Sequence, residues 1–240
     1  LSAAASAPNS GVLVVFAKHP QPGYVKTRMT PALTPELAAA FYAEMLADVL
    51  AESARACEAL GLCGVLAVSP TEAMRSMADI APSGFRIVAQ SGPDLGARMA
   101  HEVAGALATG TRRIVLRGSD SPALGEALLT QIFRALEAAD VVASPDLDGG
   151  YSAIGLRGPA GEIFDHKMST REVLRDTLAR AENAGLATRT LEACFDLDTL
   201  EDLQHLARVR HELPIERCPR TLAFADEHAL WKLAPQERPL

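Results

Sequence analysis

The chain has 240 residues, 48% of them hydrophobic and 22% charged, with a net charge of -7. That composition suits a globular protein with a full core, in one large domain or two small ones. The acidic balance gives no field that would attract a nucleic-acid polymer or an anionic membrane surface, and no run is long enough to span a membrane. The four cysteines, Cys57, Cys63, Cys194 and Cys218, form no C-x-x-C pair. Their scatter fits reduced thiols in a cytoplasmic protein, not a disulfide framework or a zinc site.

Residues 1–10 are rich in Ala and Ser and read as a disordered N-terminal segment. Val12 to Phe16 is a continuous apolar run, so a buried strand is expected there. A Pro/Gly/basic loop follows, from Lys18 to Leu33. Thr34-Pro35 then starts a helix, with Thr as N-cap and Pro at the first helical position. Leu37, Phe41, Met45 and Val49 share one face of it. Val65 to Val68 reads as a second strand, and Ser69-Pro-Thr-Glu72 as a capping box opening a short helix. Phe85 to Ala89 is a third strand, followed by a helix to about Leu107. Ile114 to Leu116 is a fourth. The next helix carries Leu124, Leu128, Ile132 and Leu136, and Asp140 to Ser144 is a fifth strand.

This alternation predicts an α/β fold with a mostly parallel central sheet and helices on both faces. After residue 145 the pattern is less regular. Tyr151 to Leu156 and Thr188 to Ala193 read as strands. Ser169-Thr-Arg-Glu172 reads as a capping box before a helix carrying Val173, Leu174, Thr177 and Leu178. Thr199-Leu-Glu-Asp202 caps a last amphipathic helix. From Pro214 onward the chain is rich in Pro and charge, and loose packing is expected of a 214–240 tail. The economical division is one domain over 11–213. Its nucleotide half is about 11–122 and its acceptor half about 123–213.

Four segments carry candidate chemistry. Gly118-Ser-Asp120-Ser-Pro122 follows the fourth strand, so Asp120 sits at a carboxyl end, where open α/β sheets bind ligands. A carboxylate beside small residues there suits a Mg²⁺ or Mn²⁺ ion facing substrate phosphates. The plainer alternative is a turn aspartate capping the next helix. Lys18, Lys26 and Arg28 put three cations in the loop after the first strand, around the Pro22-Gly23 turn. Arg28 can grip a phosphate with two bonds, while a lysine acts as a point charge. The loop is not a Walker motif.

Gln90-Ser-Gly-Pro-Asp94-Leu-Gly96-Ala-Arg98 follows the third strand. The glutamine amide suits a base edge, and Gly92 and Gly96 leave room for a flat ring. From chemistry alone the favoured reading is a plain strand-to-helix loop with Asp94 as N-cap. Asp146-Leu-Asp148-Gly149-Gly150-Tyr151 reads either as a tight hairpin or as a substrate floor, with Asp148 accepting from hydroxyls and Tyr151 offering a ring and an OH. In Asp196-Leu-Asp198 the two carboxylates point the same way if the segment is extended. One of them could share a cation with Asp120, or merely cap the last helix. His205 and His211 do not share a helix face at ligand spacing and read as surface or satisfied residues.

Taken in order, these segments resemble a known family. The carrying motifs are Phe16-Ala-Lys-x-Pro-x-Pro-Gly-x-Val-Lys-Thr-Arg28, Asp94-Leu-Gly-x-Arg-Met99, Gly118-Ser-Asp-Ser-Pro122, Asp148-Gly-Gly-Tyr151, Ser169-Thr170 and Asp198-Thr-x-x-Asp202. They are similar to bacterial transferases associated with radical-SAM/selenodomain clusters, a glycosyltransferase-A superfamily group. The resemblance spans roughly residues 11 to 211. Molybdenum-cofactor nucleotidyltransferases and 2-phospholactate guanylyltransferase are more distantly similar, through the Lys-Thr-Arg element and the Gly-Ser-Asp-Ser-Pro turn.

The resemblance implies a nucleotide-diphosphosugar-transferase fold, Rossmann-like, that binds a nucleotide and Mg²⁺ or Mn²⁺. Phe16, Ala17, Lys18, Lys26, Thr27 and Arg28 would hold the nucleotide and its phosphates. Gln90, Leu95, Gly96 and Arg98 would flank the base. Asp120 would be the principal metal ligand, with Asp198 or Asp196 as the second. Asp148, Gly149, Gly150 and Tyr151 would line the acceptor or sugar side, and Asp120, Asp148, Lys26 and Arg28 would carry catalysis. His19 departs from the family pattern, where small apolar residues are commoner. The implied function is glycosyl transfer from a nucleotide sugar to a small-molecule acceptor. The alternatives are nucleotidyl transfer from an NTP to a phosphorylated small molecule, and nucleotide binding without turnover.

Overall fold

The structure is a computed structural model, and it describes residues 11–168, 170–214 and 216–233. The expectations for residues 1–10 and for a cap at Ser169 lie outside the described residues. In chain order the elements are β1 Val12–Lys18, α1 Pro35–Leu60, β2 Cys63–Ser69, α2 Met74–Ala78, β3 Arg86–Ala89, α3 Leu95–Ala108 and β4 Arg113–Arg117. They continue with α4 Glu126–Ala135, β5 Val141–Pro145, β6 Tyr151–Arg157, α5 Val173–Asn183, β7 Thr188–Thr190, α6 Leu200–Val209 and α7 Pro219–Glu227.

The strands form one sheet in the order β3-β2-β1-β4-β6-β5-β7. β1, β2, β3 and β4 pair in parallel, as do β5 and β7, while β6 is antiparallel to both β4 and β5. The order explains the sheet's chemistry. From β1 the chain steps outward to β2 and β3, then crosses back to place β4 on the other side of β1. That reversal is a topological switch point, and the crevice outside the carboxyl ends of β1 and β4 is where such sheets take ligands.

Alternation along β1 shows how both faces are filled. Val12, Val14 and Phe16 join one apolar layer, beneath α3 and α5. Leu13 joins a second layer with α4, and Val15 and Ala17 a third with α1. Each such valine, leucine or phenylalanine contributes roughly 1.5–3 kcal/mol on burial. Thr34 caps α1 as expected, its hydroxyl accepting from Leu37 N, with Pro35 in the first turn.

The structure differs from the sequence reading in three places, and at 146–150 it takes one of the two alternatives. The turn after β2 starts at Pro70 with no side-chain cap, so the expected Ser69/Glu72 box is not made. β7 is shorter, ending at Thr190, because pairing beyond it turns irregular: Leu191 N and Cys194 N still donate to Ala143 O and Pro145 O of β5, with one isolated bridge between Asp146 and Cys194. Residues 146–150 are the hairpin alternative, joining antiparallel β5 and β6. The region after Pro214 is not loose. Asp48 of α1 accepts from Arg220 N (3.2 Å), Thr221 N (2.8 Å) and Thr221 Oγ1 (2.7 Å), fastening the start of α7. A carboxylate is favourable at a helix N-terminus. Thr221, Ala225 and Leu230 are fully buried there, against Phe41, Met45 and Leu206. Among the described residues, no helix is long and apolar enough to cross a membrane.

Candidate active site

Lys26, Asp120 and Asp198 come from three distant segments and meet at the switch point. Lys26 Nζ donates to Asp198 Oδ1 at 2.7 Å and to Asp120 Oδ1 in a shorter contact. The lysine side chain is 1% exposed, whereas the two carboxylates are 38% and 39% exposed and open to solvent. Arg28 Nη1 lies 3.9 Å from Asp198 Oδ2. These residues, with Lys18, Thr27, Tyr24, Val25 and Tyr42, line a cleft of about 140 Å³.

Local structure puts each group there. Lys26 adopts a left-handed backbone conformation (φ 49°) after the Gly23 turn (φ 80°), which folds the basic loop back over β1. Asp120 lies in the turn after β4 and is not a cap, since Gly125 is the N-cap of α4. Asp198 lies just before α6, where Asp202 accepts from Asp198 N (2.9 Å) and Thr199 N (2.7 Å) and Thr199 completes the capping box. Leu197 N donates to Asp120 O at 2.8 Å, joining the two acidic segments through the main chain.

The electrostatics follow from this packing. Burial opposes the charge on Lys26, but Asp120 and Asp198 outweigh it and hold the ammonium above its ordinary range. Burial likewise pushes Asp198 upward, and Lys26 and Arg28 more than reverse that, leaving its carboxyl below the usual range. Asp196 behaves in the opposite way. Its Oδ1 takes the Ser121 hydroxyl, and burial, Asp120 and Asp146 push it well above the usual carboxyl range. Of the two aspartates, Asp198 faces the lysine and Asp196 faces Ser121 and Asp146.

Two side chains that sequence reasoning missed shape this centre. Tyr42 of α1 reaches the carboxyl edge of the sheet, where its OH bonds Ser119 Oγ at 2.7 Å and accepts from Lys18 N at 3.0 Å. Burial, then Asp120, push the phenol up to about 12. Its ring lies 5.5 Å from Lys26 Nζ. Arg117, at the end of β4, is fully buried and clasps the turn that carries Asp120. It donates to Gly118 O, Ser121 O, Leu124 O and Ser53 Oγ. Both were hidden in sequence, Tyr42 within an apolar helix face and Arg117 at the tail of an apolar strand.

The cleft continues, through Arg28 and Asp198, into a cavity of about 420 Å³ lined by Asp146, Asp148, Arg171, Asp196, Glu201 and His205, among others. Asp148 is exposed, and its Oδ1 accepts from Gly150 N at 2.8 Å. Asp146, also missed, is buried beneath it and accepts from Asp148 N (3.1 Å) and Ser152 Oγ (2.9 Å). Gly149 holds φ +96°, and a Cβ there would lie 2.0 Å from Arg171 O. His205 lines the cavity with its ring 4.7 Å from Phe195, edge to face.

Several expected contacts are not made. Tyr151 does not line the acceptor cavity. Strand alternation turns it to the opposite face of the sheet, where its OH meets Met99 Sδ at 4.0 Å. Phe16 is buried in the same core layer and does not reach the cleft. Gln90 turns its amide inward, donating to Ala17 O (3.2 Å) and Ala67 O (3.0 Å), with Arg98 Nη1 on its carbonyl at 3.4 Å. A base would have to replace those bonds. Gly96 is small for packing, since a Cβ would lie 2.3 Å from Phe164 O. Leu95 is 45% exposed beside Asp94, which is the N-cap of α3 and accepts from Ala97 N.

Two hard carboxylates on a solvent-open edge fit a Mg²⁺ or Mn²⁺ ion completed by phosphate oxygens. Among the described residues, no group of three or more His, Cys, Asp or Glu forms a cage by itself.

The bacterial family described as "Uncharacterized protein conserved in bacteria (DUF2064)" matches residues 53–170. No curated protein matches the sequence. Among solved structures, a Desulfovibrio desulfuricans G20 protein described provisionally as a nucleotide-diphospho-sugar transferase is 28% identical. It superposes with a TM-score of 0.83 over 93% of this chain and 97% of its own. The 4-diphosphocytidyl-2C-methyl-D-erythritol synthase of Anaerococcus prevotii DSM 20548 is 11% identical, with a TM-score of 0.57 over 85% of this chain and 100% of that one. A CMP:2-keto-3-deoxy-manno-octonic acid synthetase complexed with CTP is 12% identical, with a TM-score of 0.51 over 85% and 99%. Residues 53–170 thus match the bacterial DUF2064 family, and 93% of the chain superposes on a structure described provisionally as a nucleotide-diphospho-sugar transferase.

Proposed function

We propose that the protein is a metal-dependent transferase that takes a group from a nucleotide-activated donor, and that the donor is a nucleotide sugar. The observation that carries the reading is the meeting of Lys26, Asp120 and Asp198 at the β1/β4 switch point, next to an acid-lined cavity of about 420 Å³. Lys18, Thr27 and Arg28 hold the donor phosphates. Asp120 and Asp198 would hold a divalent ion, which would supply positive charge against the leaving diphosphate. Asp148 receives the proton of the acceptor hydroxyl. The anomeric carbon–oxygen bond to the diphosphate breaks, its electron pair leaving with the nucleoside diphosphate, while the acceptor oxygen bonds the same carbon.

A second reading is nucleotidyl transfer from an NTP, with pyrophosphate released. It is favoured by the cations in the loop after β1 and by the 4-diphosphocytidyl-2C-methyl-D-erythritol synthase and the CTP-complexed synthetase among the fold relatives. The nucleotide sugar is preferred because the 28% identical structure that superposes over 93% of the chain is described, provisionally, as a nucleotide-diphospho-sugar transferase.

The test is a panel of nucleotide sugars and NTPs with and without Mg²⁺ or Mn²⁺, read by thermal shift and then by product analysis. A ligand at about a hundred times its Kd adds about 2.7 kcal/mol of stability. A metal-dependent shift with one nucleotide sugar, absent in Asp120→Ala, is the expected result. A metal-dependent shift with NTPs alone, with pyrophosphate as product, selects the second reading. No shift with any nucleotide would sink both.

A further inference from the structure

We propose that Lys26 keeps the Asp120–Asp198 pair closed to divalent cations until a phosphate anion draws its ammonium away. The inference rests on the reading of these two carboxylates as the metal ligands. Lys26 Nζ bonds the Oδ1 atoms of both, and Arg28 Nη1 faces the remaining oxygen of Asp198 at 3.9 Å. Both oxygens of Asp198 thus face a protein cation. A divalent ion reaching the same Oδ1 atoms would stand within contact distance of the ammonium, and two cations that close repel strongly.

The ammonium has somewhere to go. Lys18, Thr27 and Arg28 line the same small cleft as Lys26, so a phosphate held by them lies beside the lysine. Lys26 is mounted on a loop next to Thr27 and Arg28, not on a strand or long helix. Its chain can turn from the carboxylates to the phosphate without moving the sheet. Once it does, the two Oδ1 atoms lose the cation between them and attract the ion that arrives with the donor. Metal and phosphate then bind with positive coupling, each tightening the other by the same factor. The lysine also prevents futile occupation of the site by a metal that brings no substrate.

The experiment titrates Mn²⁺ alone into the full chain and into Lys26→Met and Lys26→Gln, reading bound ion by electron paramagnetic resonance and folding by circular dichroism. The variants are expected to bind Mn²⁺ at least about tenfold more tightly than wild type, within the usual range of site coupling. That gain should disappear in Lys26→Met/Asp120→Asn. A second arm needs no variant. Inorganic phosphate, added to wild type, should tighten Mn²⁺ binding, and should do so less in Lys26→Met. Wild type binding Mn²⁺ as tightly as the variants would overturn the inference, as would variants that bind no Mn²⁺ or phosphate that leaves the wild-type affinity unchanged. Failure of the underlying metal reading has a separate signature, turnover that persists in EDTA.

Discussion

Replacing Arg117 with Met should cost about 3 kcal/mol of stability and displace Asp120. Arg117 is 2% exposed. Its guanidinium donates at 2.9 Å to Ser121 O, 3.2 Å to Leu124 O, and 3.3 Å to both Gly118 O and Ser53 Oγ. Hydrogen bonds from a charged group contribute about 1.5–3 kcal/mol each, so four at the low end amount to about 6 kcal/mol. Burial works against them and lowers the guanidinium pKa to about 10, an opposing cost of roughly 3 kcal/mol. Methionine removes both terms and fills much of the volume. The balance still favours arginine, because three of its four acceptors are main-chain carbonyls that no substitution removes. Two buried ionic side chains can often be exchanged together for apolar ones at little cost, but buried carbonyls left without a donor cannot be compensated in that way. Urea unfolding at neutral pH measures the loss from the midpoint and slope. Because the freed carbonyls belong to the turn that carries Asp120, turnover should fall at least tenfold as well, since small misplacements at a reacting centre cost up to about a hundredfold. A loss below about 1 kcal/mol with an unchanged slope and full activity would refute the clasp argument.

Asp120→Ala should reduce turnover by about 10²–10³-fold, the usual cost of deleting an electrostatic partner of the transition state. Its melting curve should stay within a few degrees of wild type, because Asp198 still pairs Lys26. Gly149→Ala should lose about 2 kcal/mol or more, since φ is +96° and the new Cβ would meet Arg171 O. Hydrogen exchange at the start of α5, where Leu174 N bonds Gly149 O at 3.1 Å, should accelerate in that variant and stay slow if the contact is immaterial. The Asp196 carboxyl is raised in the native state, so the native protein holds a proton that the unfolded chain releases. Wild-type stability therefore contains a contribution that is full below about pH 4, the ordinary carboxyl value, and is lost as pH rises through the raised value. Asp196→Asn cannot titrate, so the stability difference should move in the variant's favour as pH rises from about 4 toward neutrality. A difference that stays flat with pH would place Asp196 in an ordinary solvated setting.

Much of the fold was legible before any coordinates. The apolar run at Val12 to Phe16, the Thr34-Pro35 start and the Thr199/Asp202 box are local signals, and each element formed where it was read. The basic loop and the turn after β4 were legible as ligand-edge segments for the same reason, since a strand's carboxyl end is set by where its apolar run stops. What the sequence could not display is direction. Tyr151 and Asp148 are three residues apart, yet one faces the core and the other the cavity, because Tyr151 opens β6 and takes the core side of the sheet while Asp148 stands in the hairpin turn beyond the sheet edge. Gln90 looked like a base reader and is a brace between strands, since its partners Ala17 O and Ala67 O come from segments 73 and 23 residues away.

Sequence by itself determined the element types, the nearly parallel sheet and the three segments that carry Lys26, Asp120 and Asp198. Those depend on spacing, capping and side-chain chemistry, which act over a few residues. Only the tertiary structure decided that Lys26 stands between the two carboxylates across 94 and 172 residues of chain. Only it chose Asp198 over Asp196 as the lysine's partner, brought Tyr42 and Arg117 to the site, and fastened residues 218–232 onto α1. Such pairings follow from strand order and helix packing, and no short window of sequence contains both partners.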